Sequence, residues 1–201
     1  MKKTLAALLI AMLGNVAVAS PDVRDGDIIF HTSRSSQSVA VQRATGSRYS
    51  HMGVIFHRDG KPHVLEAAAT VRYTPLESWI ARGDGQHYVV KRLGNNAAAL
   101  TPEAVGKLAR TSLMFLDRPY DLTFEWSDDR MYCSELVWKL YDRALGVRIG
   151  ALQRLRDFNI SDQVVRAKMR ERYGDHPPLA EPVISPAAMF DSPLLVTVAQ
   201  E

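Results

Sequence analysis

The stretch Arg130-Met131-Tyr132-Cys133-Ser134-Glu135-Leu136-Val137-Trp138-Lys139-Leu140-Tyr141 holds the only cysteine of the 201-residue chain. After Cys133 the pattern is helical, with Leu136, Val137 and Leu140 spaced to form one buried face. The thiol therefore falls in a first helical turn, beneath backbone N–H groups whose partial positive charge favours thiolate over thiol. An isolated cysteine is more often a small buried hydrophobe than a nucleophile. The rest of the chain decides between the two.

The N-terminus sets the compartment. Lys2 and Lys3 precede an apolar run from Leu5 to Leu13, and Ala17-Val18-Ala19 before Ser20 matches a small-residue cleavage site. Residues 1–19 read as a secretory signal peptide, too short to span a bilayer, and residues 20–201 as a single domain exported to the periplasm. No later stretch is long and apolar enough to be a transmembrane segment. In an oxidising compartment structural cysteines come in pairs, so a lone one points to a free thiol or an intermolecular partner. The formal net charge of +3 includes Lys2 and Lys3, so the mature chain is close to neutral. No basic block is interleaved with aromatics, and nucleic acid is not an expected partner.

Upstream of Cys133 the chain alternates strands and helices. Asp25-Gly26-Asp27-Ile28-Ile29-Phe30 reads as a turn into a buried strand, and Ser38 to Thr45 as a short helix. Tyr49-Ser50-His51-Met52-Gly53-Val54-Ile55-Phe56-His57 and His63-Val64-Leu65-Glu66-Ala67 flank Asp59-Gly60, the signal of a β-hairpin. With the loop centred near Gly60, Glu66 lies opposite Gly53 or Val54, one diagonal step from His51. Diagonal neighbours lie about 7–8 Å apart, within reach of two long polar side chains. A helix starts at Pro75, Gly83-Asp84-Gly85 closes that region, and Tyr88 to Leu93 is a strand. Thr101-Pro102-Glu103 opens a helix to about Phe115. Downstream, Asp162 to Arg172 reads as a basic surface helix and Leu194 to Val198 as a strand. The fold class is α+β, an antiparallel sheet packed against helices.

A thiolate nucleophile needs a nearby base, and the base needs a third group to orient its ring. His51 and Glu66 on paired strands can supply both to Cys133, and the carboxylate favours a charged thiolate–imidazolium pair. A rival arrangement is zinc: His51, His57 and His63 recur every six residues, with Cys133 as a fourth ligand. The turn splays His57 and His63 away from His51, and neither HExxH nor CxxC occurs, so no metal and no cofactor is expected. Serine chemistry lacks its Gly-x-Ser-x-Gly elbow.

These pieces carry a resemblance. Gly26-Asp27-Ile28-Ile29-Phe30, Tyr49-Ser50-His51-Met52-Gly53-Val54, Val64-Leu65-Glu66-Ala67, Pro119-Tyr120-Asp121, Tyr132-Cys133-Ser134-Glu135-Leu136-Val137 and Ile184-Ser185-Pro186-Ala187-Ala188-Met189-Phe190 span most of the chain. In that order they resemble the permuted papain-like cysteine hydrolases of the NlpC-type superfamily, in particular its YiiX-like group. Ordinary NlpC-type enzymes run Cys, His, polar residue; here His51 and Glu66 precede Cys133, as in a circular permutation around one site. The resemblance implies Cys133 as nucleophile, His51 as general base and acid, and Glu66 as the orienting group. It implies Tyr120 at the oxyanion site with Tyr132 as a lesser candidate, and the Cys133 backbone N–H as the other donor. The family's Cys-Ser-Gly becomes Cys133-Ser134-Glu135, and Glu135 either puts a negative charge at the site mouth, favouring cationic or neutral substrate groups, or is simply solvated in the first helical turn.

The implied reaction is hydrolysis of a small amide or peptide of the cell envelope through an acyl-thioester at Cys133. The resemblance also covers relatives that move or remove fatty-acyl groups, so a lipid-directed thioesterase or acyltransferase using the same residues is the alternative. A non-catalytic envelope-binding module on the same scaffold is a reading of another class.

Overall fold

Six strands in the order β4-β3-β2-β1-β5-β8 form the central sheet, and each neighbouring pair is antiparallel. They are β1 (Ile28–Ser33), β2 (His51–Arg58), β3 (Lys61–Ala67), β4 (Val71–Pro75), β5 (Gly83–Leu93) and β8 (Leu195–Gln200). Two short strands, β6 (Gln153–Arg154) and β7 (Pro182–Val183), pair separately. The helices are α1 (Ser38–Thr45), α2 (Leu76–Ala81), α3 (Pro102–Ser112), α4 (Cys133–Leu145), α5 (Gln163–Tyr173) and α6 (Pro186–Phe190). The structure, a computed structural model, describes residues 22–94 and 100–201. The signal-peptide segment 1–19 lies outside the described residues.

The alternation of side chains along the strands sends residues to two cores. Phe30, Met52, Val54, Phe56 and Leu65 face the larger core with Leu108 of α3 and Leu136, Val137, Leu140 and Tyr141 of α4. Ile29, Ile55, Val64 and Val90 face the smaller one with Leu76 and Trp79 of α2. Burying each of these large side chains contributes about 1.5–3 kcal/mol. The strands are thus apolar on both faces where helices cover both.

The hairpin has the expected Asp59-Gly60 turn. Arg58 pairs with Lys61 and Val54 with Leu65, which carries Glu66 one step on towards Gly53. The Gly26-Asp27 turn is fixed twice. Gly26 sits at φ +86°, where a Cβ would also approach Leu100 to 3.0 Å. The buried Asp27 takes both guanidinium bonds of Arg92, at 2.6 and 2.7 Å.

Two departures from the sequence reading bear on how the site is packed. Gly83-Asp84-Gly85 begins β5, where Gly83 pairs with Ser33, and the strand bulges just there: Gly85 and Gln86 lie at φ +59° and +58° and the register to β1 shifts between His31 and Ser33. Gly83 itself is required by packing rather than by a turn, because a Cβ there would lie 2.8 Å from His31 Nδ1. Second, α4 is buried all round, from Cys133 through Tyr141. Its polar members are paired internally: Lys139 Nζ meets Glu135 at 2.7 Å, Asp128 at 3.0 Å and the Ser127 carbonyl at 2.5 Å.

Candidate active site

Cys133 is the first residue of α4, only 4% exposed. Tyr132 ahead of it is extended, so the chain turns into the helix at the thiol. His51 begins β2 at the end of the sheet that meets this helix start, close enough for the Cys133 thiol to be among the groups that raise the imidazole pKa. The other side of the ring is held from β3, with His51 Nε2 2.7 Å from Glu66 Oε2. That leaves Nδ1 as the ring nitrogen available to Cys133. Burial pushes the imidazole pKa down, but the hydrogen bonds to Cys133 and Glu66 outweigh it and raise it to about 9.

Glu66 is fully buried and fully used. Its Oε1 accepts from Thr74 Oγ1 at 2.6 Å and from the Arg82 guanidinium at 2.5 Å, with Arg72 Nε at 4.0 Å. Burial alone would raise its pKa, yet His51, Thr74 and Arg82 hold it at about 2. A carboxylate so fixed can orient the ring and stabilise its charge without taking its proton.

A second histidine lies beside the first. His31 of β1 pairs across the sheet with His51, and their ring centroids are 5.3 Å apart. Trp79 stacks on His31 at 3.8 Å and 15°. Burial, then the charges on His51 and Arg82, push the His31 pKa down to about 3. This ring is a neutral packing surface that backs the charged one.

The loop before α4 brings Tyr120 alongside. Asp121 donates its N–H to the Met131 carbonyl and Met131 donates to the Pro119 carbonyl, at 3.1 and 3.0 Å. Burial and the nearby Cys133 push the Tyr120 phenol pKa up. The amide of Gln37 donates to the Tyr120 hydroxyl at 2.5 Å, and Arg172 donates to the Gln37 oxygen at 2.5 Å. Because Arg172 claims the oxygen of Gln37, the NH₂ faces Tyr120, and the phenol keeps its own proton free to donate elsewhere.

Of the two other residues expected near the oxyanion or substrate, Tyr132 lines an apolar hollow shared with Cys133, and Glu135 lies elsewhere. Tyr132 is buried in the core, edge-on to Phe124, with its hydroxyl accepting from the Ile184 N–H at 3.2 Å. Glu135 does not stand at the site mouth. It is fully buried, bonded to the Tyr132 N–H at 3.4 Å and paired with Lys139. A carboxylate at the third position of a helix folds back on the helix start, and here the core covers it. Burial outweighs Lys139 and raises its pKa to about 7. His57 is bound to Asp25 at 2.6 Å and His63 to the Lys61 carbonyl at 3.0 Å, both away from His51.

Two hollows open on either side of this cluster. One is apolar, lined by Cys133 and by Val41, Phe124, Leu155, Phe158, Val165 and Met169 among others. The other is a polar groove reaching His51, with Arg34, Arg82 and Arg130 on its walls. They meet at Gln37, Ser50, Tyr120, Lys168 and Arg172.

Comparison with known proteins matches residues 22–199 to the family described as permuted papain-like amidase enzyme, YaeF/YiiX, C92 family. The chain belongs to this family. The uncharacterized protein YiiX of Escherichia coli K12 is 50% identical over 194 residues, covering 96% of this chain and 95% of that protein. The crystal structure of the metalloprotein YiiX from Escherichia coli O157:H7 superposes with a TM-score of 0.85 at 53% identity. It covers 89% of this chain and 97% of that one. The permuted papain-like fold and a cysteine hydrolase of the amidase type are therefore shown for this chain. Among the described residues no helix is long and apolar enough to cross a membrane.

Sequence reasoning missed Thr74, Arg82, His31 with Trp79, and the pair Gln37–Arg172. Recognising Val71–Pro75 as a third hairpin strand would have placed Thr74 across from Val64, beside Glu66. Nothing local marks Gln37, whose partners lie 83 and 135 residues away.

Proposed function

We propose that the chain is an exported amidase in which Cys133 is the nucleophile, His51 the general base and acid, and Glu66 the group that orients His51. The observation that carries this is the 2.7 Å bond from the saturated Glu66 carboxylate to His51 Nε2, which leaves Nδ1 to the neighbouring Cys133 thiol. A His51 pKa of about 9 keeps the ring protonated at neutral pH, the state that pairs with a thiolate. The thiolate Sγ attacks the amide carbonyl carbon, and the carbonyl π electrons move to oxygen. Tyr120 O–H and the Cys133 N–H stabilise that oxyanion. Nδ1 of His51 gives its proton to the departing amine as the C–N bond breaks, leaving a thioester. Water, deprotonated by the now neutral His51, attacks the thioester and releases the acid.

The related crystal structure is described as that of a metalloprotein, so a metal has to be weighed against the donors available. Among the described residues no three His, Cys, Asp or Glu side chains gather to hold an ion. Glu66 holds His51 Nε2 and is itself engaged on both oxygens, and His57 and His63 are bonded elsewhere. This donor set does not suit a resident metal, and each step above uses the chain's own side chains. Chelator treatment should leave the activity unchanged.

A second reading keeps the residues and changes the substrate. The apolar hollow beside Cys133 favours a fatty-acyl group over a peptide on the acyl side, as a lipid-directed thioesterase or acyltransferase would need. Two measurements separate the possibilities. Iodoacetamide should label Cys133 rapidly at neutral pH, and His51→Ala should slow it; an unchanged rate would sink the Cys–His pair. A Cys133→Ala variant incubated with envelope extract, followed by mass spectrometry, should retain the substrate. Bound peptides favour the peptide amide and bound acyl lipids the second reading.

A further inference from the structure

We infer that the substrate is divided by polarity at Cys133, with an apolar acyl half and a leaving half that carries negative charge. The inference rests on the nucleophile and acid roles proposed above and goes on to the chemistry of each half. The two hollows are not lined by the same catalytic residue. Cys133 lines the apolar one and His51 the polar one. In acyl transfer the acyl carbon bonds to Sγ, so the acyl half must lie where the thiol opens. The leaving group takes the proton of His51, so the leaving half must lie where His51 opens. Geometry and reaction direction together give each hollow its occupant.

The charge follows from the groove walls. Arg34 comes from the β1–α1 loop, Arg82 from the end of α2 and Arg130 from the loop before α4, all on the groove alone, while Lys168 and Arg172 of α5 stand where the two hollows meet. Glu171 is the one acid on the walls and is paired with Lys168 at 2.5 Å. Arg82 serves Glu66, and Arg172 serves the neutral Gln37. Arg34 and Arg130 have no acidic partner among the described residues. In a chain close to neutral after loss of Lys2 and Lys3, so many cations around one groove are a local excess. Their guanidinium groups suit a carboxylate or phosphate. The exposed position of Arg34 and Arg130 makes the attraction sensitive to salt.

The test is acylation of Cys133 by matched octanoyl aryl esters, followed by intact mass. One ester carries a carboxylate on the aryl leaving group, one a phosphate, and one (4-nitrophenyl octanoate) no charge. Each rate is divided by that of the same ester with free cysteine, which removes intrinsic reactivity. In every case the Sγ–acyl bond forms, the ester C–O bond breaks and the aryl oxide departs. An anionic ester should react about tenfold faster than the neutral one after this correction, a size expected from two or so exposed ion pairs. The faster of the two anions identifies the carboxylate or the phosphate as the recognised group. Arg34→Glu with Arg130→Glu, both at exposed positions, should bring the ratio to one or below, and so should 1 M salt. Equal corrected rates in the unaltered protein, or a preference that survives both substitutions, overturns the division by polarity. Failure of every ester to acylate Cys133 overturns the nucleophile assignment itself, and this proposal with it.

Discussion

His31 and His51 are neighbours on paired strands, with ring centroids 5.3 Å apart, yet they are driven in opposite directions. His51 touches a buried carboxylate and a thiol and is raised to about 9. His31 touches Trp79, leaves Nδ1 without a partner and is lowered to about 3. Burial is the largest single influence on both and disfavours the charge on both. The difference is made by what each nitrogen meets. Burial alone therefore does not fix the charge of a histidine; for a charged ring the partners must supply more than the desolvation removes.

The comparison is broken most severely at the charged ring. His51→Ala should lower the rate with 4-nitrophenyl octanoate by about 10⁴-fold, whereas His31→Phe, which keeps the stack on Trp79, should change it less than tenfold. Equal losses would mean that the two rings share one role. Glu66→Gln should lower the rate about 10²-fold. It should also move the alkaline limb of the pH–rate profile from about 9 towards the ordinary histidine value, because the ring loses the carboxylate that holds its proton. Gln37→Glu presents only acceptors to Tyr120, draws the phenol proton out of the site and should cost about tenfold. That loss should vanish in a Tyr120→Phe background, and a loss that persists there would separate Gln37 from Tyr120.

The smallest effect is on stability, and its sign differs for the two rings. His51 contributes stability that is complete below 6.5 and lost as pH rises through about 9. Glu66 contributes stability present above 4.5 and lost as pH falls through about 2. His31 binds its proton in the unfolded chain first, so it withdraws stability as pH falls from 6.5 to about 3. His31→Phe should flatten the chemical-denaturation profile across 3 to 6.5 and leave its alkaline side as it was. An unflattened acid side would show that His31 is not neutral in the native state.

Much of the site was legible because its first two members are local. The Asp59-Gly60 turn sets the register, and the register sets His51 and Glu66 one diagonal apart. Cys133 was legible because a helix pattern begins there and no other thiol exists. Glu135 was misplaced because a sequence pattern does not show that α4 is covered on all sides. A carboxylate that looks solvated in a first helical turn is instead sealed in with Lys139. The start of β5 was misread for a similar reason. Gly83-Asp84-Gly85 has the composition of a turn, and here Gly85 takes the positive φ of a bulge inside the strand while the close approach of His31 explains Gly83. Gln37 and Arg172 were beyond reach because their meeting depends on how α1 and α5 pack, which no local signal encodes.

The hairpin has a further consequence, in time rather than in space. His51 and Glu66 lie only 15 residues apart, so closing the loop between them costs little entropy. Cys133 arrives from a distant part of the chain, when α4 docks across the sheet. During folding His51 and Glu66 should meet early and the thiol join them last, as contacts of long sequence separation form late. Until that docking the sulfur is an ordinary cysteine, and its reaction rate with a small electrophile becomes a clock for the final step of folding.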